Sequence, residues 1–302
     1  MYESIQSALI PRGTHAMVTA EIAWVLFIGG GAIFVLVMVF VAWAVFGERR
    51  AWLAKQGSII AGGIVFPSAV LFALLIYTLL AASRITEAHG GDADLRIEVT
   101  GEQWWWRVHY LGPEGELDFA TANELHIPVG RTVEIRLRSA DVLHSLWVPA
   151  LAGKLDLIPG KDNRLRLRAE TPGVFRGQCA EYCGGPHAQM AFYVLAEEIE
   201  AFDRWRGAQR APATGDSDLF LAHCAACHTV RGTRASGTLG PDLTHVGSRL
   251  SIGAGILPNN TGSIAGWIGS NQRIKPGNLM PEFRQLSGAE SRALAHYVTS
   301  LK

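Results

Sequence analysis

Within residues 179–190 the chain gathers two thiols, Cys179 and Cys183, an imidazole, His187, and a thioether, Met190. Soft sulfur and borderline nitrogen donors select copper or zinc over magnesium or calcium. A second imidazole, His144, lies upstream and can complete a site. The plain alternative is a Cys179–Cys183 disulfide with His187 and Met190 as packing residues. A blue-copper centre takes two His, one Cys and a weak axial Met, so this inventory holds one thiolate too many. Two cysteines four apart can bridge two copper ions, each ion adding one His and one weak axial ligand. Met190 would serve one ion and a backbone carbonyl of the loop the other. A tetrahedral zinc site from the two Cys and two His ranks second, because it leaves Met190 without a role.

The other two cysteines form a second cluster, Cys224-Ala-Ala-Cys227-His228. Cys-x-x-Cys-His is the attachment signature of a c-type haem: two thioethers hold the porphyrin and the adjacent His ligates iron. A thioredoxin-like pair needs a strand–helix context that the flanks lack, and zinc needs a further cysteine pair that the chain does not have. An electron-transfer haem takes a thioether as its sixth ligand, which raises the potential. Met280 is the candidate; His245 is the rival, and His223 lies too close to the attachment site. Of five methionines, only Met190 and Met280 follow Met38, each downstream of a Cys/His cluster. Gap-filling methionines would be scattered through the core.

These groups need elements to hold them. Residues 22–47 and 57–83 carry no charged side chain, and each exceeds the ~20 residues with which a helix crosses the hydrocarbon core. Arg49, Arg50 and Lys55 in the connecting loop place it in the cytoplasm by the positive-inside rule. Both ends, and everything after about residue 84, then face outward. Gly29–Gly31 and Gly62–Gly63 permit close helix approach, as expected of a hairpin docked on a larger membrane partner. Pro67 falls inside the second span, where neighbouring structure must re-satisfy the freed carbonyl.

From about residue 93 the pattern changes to period two, as in Leu95-Arg-Ile97-Glu-Val99 and Val133-Glu-Ile135-Arg-Leu137. Many such half-buried strands separated by Gly/Pro turns predict an antiparallel sandwich or barrel over residues 93–207. His144 then ends a strand, and 179–190 is a loop between two late strands. A short helix over 197–206 closes this domain. Residues 208–215 form a polar linker, and 216–302 form a small all-α domain with a closing helix over 287–301. The fold class is therefore a multidomain membrane protein with a two-helix hairpin within residues 1–84, an all-β sandwich and an all-α domain. With 27 basic and 27 acidic residues the net charge is zero, so a nucleic-acid partner has no electrostatic support.

Residues 141–160 and 178–190, with Gly101-Glu-Gln-Trp104-Trp105-Trp106, resemble cytochrome c oxidase subunit II over roughly residues 15–207. Residues 216–302 are similar to a class I cytochrome c. The first resemblance implies a cupredoxin fold with a dinuclear copper A centre. Its ligands would be His144, Cys179, Cys183, His187 and Met190 through side chains and Glu181 through its backbone carbonyl. In the family the carboxylate at the Glu181 position also reaches a magnesium ion shared with subunit I. The aromatic run takes electrons from cytochrome c there, making Trp104 the candidate acceptor. Packing is the competing role, and strand alternation sends Trp104 and Trp106 to one face and Trp105 to the other. One departure stands out: residues 55–60 carry no acid where family members often have a Glu near a proton-uptake route.

The expected function follows. The chain would be the electron-transfer subunit II of a haem–copper oxidase in a bacterial inner membrane, with its soluble domains on the periplasmic side. Its partners would be subunit I, subunit III and an external electron donor, and oxygen reduction in subunit I would be coupled to proton pumping. A copper A-containing nitric oxide reductase shares the same electron path. A membrane-anchored copper carrier, from a different class, predicts labile mononuclear copper and leaves the haem motif without a role.

Overall fold

The computed structural model describes residues 5–47, 55–87 and 92–302. The loop containing Arg49 and Arg50, on which the sidedness of the hairpin rests, lies outside the described residues. The chain divides into two compact units, His15–Gly90 and Met1–Thr14 with Gly91–Lys302.

In the first unit, α1 spans Thr14–Phe46. The second helical stretch comprises α2 (Gln56–Ile60), a π turn (Ala61–Val65) and α3 (Phe66–Glu87). Both stretches are long and apolar enough to cross a membrane. Helix α1 starts well before the uncharged run at residue 22. Glu21 does not break it, because its carboxylate pairs with Arg84 on α3 at 2.8 Å. The π turn directly precedes Pro67. There the Phe66 N–H reaches back to the Ala61 carbonyl, an i→i+5 adjustment of the kind that accommodates a lost helical bond.

The second unit opens with a two-sheet sandwich. Its strands are β1 (Leu95–Glu102), β2 (Trp105–Leu111), β3 (Leu117–Ala122), β4 (Glu124–Pro128) and β5 (Val133–Ser139). They continue with β6 (His144–Trp147), β7 (Leu155–Leu157), β8 (Asn163–Leu167), β9 (Gly173–Cys179) and β10 (Ala191–Glu197). One sheet has the order β3-β2-β1-β5-β8 and the other β4-β10-β9-β6-β7. The period-two alternation does its expected work: Ile97, Val99, Ile135, Leu137, Leu165 and Leu167 all point into one buried core. The sheets are not purely antiparallel, however. β1 pairs parallel with β5, and β4 with β10. In each case the intervening chain crosses to the other sheet before returning, so it comes back in the same direction, which a hairpin cannot do.

Helix α4 (Ile199–Arg210) seals one end of the sandwich and runs into the stretch read as linker. Arg206 and Arg210 both grip Asp118 of β3, with bonds from 2.7 to 3.0 Å. That grip holds the last helical turn against the sheet.

The remaining domain contains α5 (Asp218–His223), a short β11–β12 ladder (Ser251–Ile252 with Leu257–Pro258), α6 (Thr261–Ile274) and α7 (Gly288–Ser300). Each of its helices starts where the sequence supplies a cap. Ser217, Asn260 and Ser287 accept from the third residue along, and Ser287 with Glu290 completes a capping box. Phe220, Ile264, Ile268, Leu294 and Val298 form its core. The domain is joined to the sandwich by bonds from backbone amides: Ala191 N–H donates to the Ala254 carbonyl at 3.0 Å, and Leu250 N–H to the Glu124 carboxylate at 2.7 Å.

Candidate functional site

Strand pairing brings the first donors together. β6 and β9 are neighbours with Leu146 opposite Cys179, so His144 lies alongside the end of β9. It opens β6 instead of ending a strand, because residues 139–143 are tied into a turn by the Ser139 hydroxyl and the Asp141 carboxylate. The chain then loops through a 3-10 turn, Gly185–Gln189, and closes where the Cys179 N–H donates to the Met190 carbonyl at 2.9 Å.

Within this loop every donor named from the sequence converges. The Cys179 and Cys183 sulfurs are 3.7 Å apart and unbonded. His144 Nδ1 lies 3.9 Å from Cys179 Sγ and His187 Nδ1 3.5 Å from Cys183 Sγ. The Met190 thioether is 3.8 Å from Cys183 Sγ, and the Glu181 carbonyl 3.2 Å from Cys179 Sγ. Each thiol thus has one imidazole and one weak donor beside it, and the thiol pair joins the two halves. Met190 is fully buried and points into the cluster, which a four-donor zinc site would not require. The Glu181 carboxylate turns the other way, to Lys154 at 3.5 Å.

Electrostatics prepare the site for cations. The hydrogen bond shared with Cys183, together with bonds from His144 and the backbone, holds the Cys179 thiol far below the ordinary thiol range. Cys183 is pushed up by the same shared bond. The pair therefore sheds one proton readily and retains a second that a metal would displace. Burial pulls His144 down, but Cys179 and Asp141 outweigh it and leave His144 above its ordinary value. Nε2–H of His144 donates to Asp141 at 2.8 Å, which holds the ring with Nδ1 facing the sulfurs, where a metal would displace the Nδ1 proton. Gly101 of β1 lies flat on the same ring: a Cβ there would come within 2.7 Å of His144 Cδ2. Asp141 and Gly101 fall inside the stretches that carry the family resemblance, but nothing in the sequence marked them as partners of His144.

The second cluster lines a cavity of about 470 Å³. Cys224, Cys227 and His228 stand on its wall with Met280, and Val246, Ile264, Ile268 and Phe283 make it largely apolar. Burial pushes the Cys224 thiol up to about 11, the opposite of the depressed thiol that a redox pair needs. Burial likewise lowers His228. Its Nδ1–H donates to the Pro241 carbonyl at 2.8 Å, leaving Nε2 as a free, neutral donor. Gly240 leaves room for that ring, since a Cβ there would lie 2.6 Å from His228 Cε1. The Met280 loop is tied down by Gln272, whose amide donates to the Asn278 and Met280 carbonyls at 2.7 and 3.0 Å. His245 turns away and bonds the Ala211 carbonyl at 3.0 Å. His223 lines the cavity beside Phe283. The donor set and apolar walls fit a covalently attached haem.

Trp104 belongs to both sites. It lines the cavity beside Trp105, and its Nε1–H donates to the Cys183 carbonyl at 2.8 Å. Alternation had grouped it with Trp106, which instead is buried in the sandwich against Phe192. Trp104 sits in the turn between β1 and β2, outside both strands, so the period-two rule does not govern it. Lys275 also had no mark in the sequence. It is almost wholly buried, and burial lowers it to about 7.

Comparison with known proteins places both regions. Residues 113–197 match the family described as cytochrome c oxidase subunit II, periplasmic domain, and residues 217–302 match cytochrome c. Cytochrome c oxidase subunit 2 of Alkalihalophilus pseudofirmus is 38% identical over 234 residues, covering 74% of this chain and 66% of that protein. The Bacillus subtilis protein of the same name is 31% identical over 265 residues, covering 79% and 73%. Among solved structures, the periplasmic domain of subunit II of cytochrome oxidase of Bradyrhizobium japonicum is 32% identical. It covers 40% of this chain and 96% of that one, with a TM-score of 0.37. The chain belongs to the cytochrome c oxidase subunit 2 family and carries a cytochrome c domain beside its copper-type sandwich.

Proposed function

We propose that this chain is the electron-transfer subunit of a haem–copper cytochrome c oxidase, anchored in a bacterial inner membrane with its soluble domains on the periplasmic side. His144, Cys179, Cys183, His187, Met190 and the Glu181 carbonyl would hold a dinuclear copper A centre. Cys224 and Cys227 would carry haem c, with His228 and Met280 on the iron. When bound, the two groups supply one-electron chemistry, accepting electrons from an external donor and delivering them to subunit I for oxygen reduction coupled to proton pumping. Subunit III completes the assembly in this reading. A magnesium ion at the subunit I boundary would have to draw the Glu181 carboxylate away from Lys154.

The observation that carries the reading is the position of Trp104, whose indole lines the haem-type cavity and donates to the carbonyl of a copper-type cysteine. The chain's own task is to hold both groups in fixed shells, since electron transfer without bond making needs no general acid or nucleophile. Joining the two domains in one polypeptide replaces a diffusional encounter with an intramolecular one.

Purification in mild detergent tests this. A haem–copper subunit should copurify, with oxygen uptake, near-infrared absorption and a multi-line paramagnetic signal from mixed-valence copper. A single type I or type II copper signal, or failure to copurify with an oxidase subunit, would overturn it.

A further inference from the structure

Lys275 lies at the boundary between the two soluble domains and has only 2% of its surface exposed. Its Nζ, which carries three protons when charged, meets three backbone carbonyls: Trp104 at 2.6 Å, Gln189 at 2.8 Å and Gly253 at 3.1 Å. These acceptors come from three separate places. Trp104 is in the β1–β2 turn, Gln189 directly precedes Met190, and Gly253 belongs to the cytochrome c domain. The lysine itself follows α6 and opens the loop that ends at Met280, its N–H bonding the Asn271 carbonyl at 2.7 Å. Two residues further on, Gly277 lies over the Trp104 ring, where a Cβ would stand 3.4 Å from the indole edge. Taking an ammonium out of water costs several kcal/mol unless its donors are matched. An apolar side chain would fill the same space without that cost. What it could not do is join three carbonyls.

We propose that Lys275 is a positioning residue, a buried clamp that fixes the Met280 loop on Trp104 and the copper loop, so that electron transfer between the two domains occurs in one docked arrangement. This rests on the electron-transfer reading above. Other side chains cross the boundary elsewhere: Arg107 reaches the Thr238 carbonyl at 3.0 Å, Arg176 the Gly255 carbonyl at 3.1 Å, and Arg231 the Gln209 carbonyl of α4 at 2.6 Å. Among the described residues, Lys275 is the side chain of the cytochrome c domain that bonds both the β1–β2 turn and the loop before Met190.

The test compares the full chain with Lys275→Met, which keeps length but removes every donor. Hydrogen exchange reads docking without reference to the cofactors. The amides of Ala191 and Leu250, whose partners lie across the boundary, should exchange about tenfold faster, equivalent to about 1.4 kcal/mol. Core amides such as that of Val99 should be unchanged. In the loaded protein, copper reduction after haem reduction should slow by about the same factor and become dependent on solvent viscosity, as a docking-limited step must. Direct reduction of the haem by a small reductant should not change. Unchanged exchange at Ala191 and Leu250, or equal acceleration at every amide, overturns the clamp. So does a wild-type, viscosity-independent transfer rate in the variant. Should Lys275→Met fail to accumulate, Lys275→Gln, which is shorter and has two N–H donors but no charge, is read by the same criteria. A wild-type chain whose haem reduction is never followed by copper reduction overturns the electron-transfer reading, and the clamp with it.

Discussion

Asp141→Asn should weaken copper binding about tenfold. Asp141 is not itself a donor to the site. Its Oδ1 accepts from His144 Nε2 at 2.8 Å and from the Val142 N–H at 2.6 Å, while Oδ2 accepts from the Gln103 N–H at 2.7 Å. Asparagine keeps the shape but has one oxygen. Whichever way its amide turns, an NH2 group faces an N–H that was previously satisfied. A hydrogen bond to a charged partner contributes about 1.5–3 kcal/mol. The Asp141 side chain is 31% exposed, which favours the lower end. That corresponds to about a factor of ten, at the bottom of the roughly 10–100-fold range for losing a partner that orients a metal-bound histidine. The assay is titration of the apoprotein with copper against a competing chelator, alongside thermal unfolding of the apoprotein. Asp162→Asn is the control, since Asp162 forms only a surface ion pair with Arg136 and Arg138. An Asp141→Asn variant with wild-type copper affinity would refute the argument that His144 must be held in one tautomer.

Two further outcomes are expected. Met280→Ala should abolish the near-infrared sulfur-to-iron band and lower the haem potential, measured by redox titration; persistence of the band moves the sixth ligand elsewhere. Hydrogen bonds from Arg210 and Arg206 hold Asp118 below its ordinary value near 3.8. Its contribution is therefore present above that pH and lost as pH falls through its folded value. Asp118→Asn should flatten the acid limb of urea-midpoint measurements as pH falls below 3.8, and an unchanged limb would show that α4 is held by other contacts.

The sequence by itself named the donors of both candidate sites. The donors are unusual residue types at close spacing, and strand alternation and helix caps depend on near neighbours. The clusters Cys179 to Met190 and Cys224 to His228 were readable for that reason, as were the two apolar spans and the closing helix α7; α6 was not read from the sequence. Tertiary structure decided the rest. The parallel pairings of β1 with β5 and β4 with β10 depend on which sheet the chain visits in between. No local pattern encodes that path. The position of Trp104 came from a turn that the alternation rule does not cover. Asp141 and Gly101 matter only because β1, the 139–143 turn and β6 meet at one imidazole. Lys275 reads as an ordinary polar residue before a Pro-Gly turn. Its three acceptors lie up to 171 positions away in the chain, and folding alone brings them within reach of one ammonium.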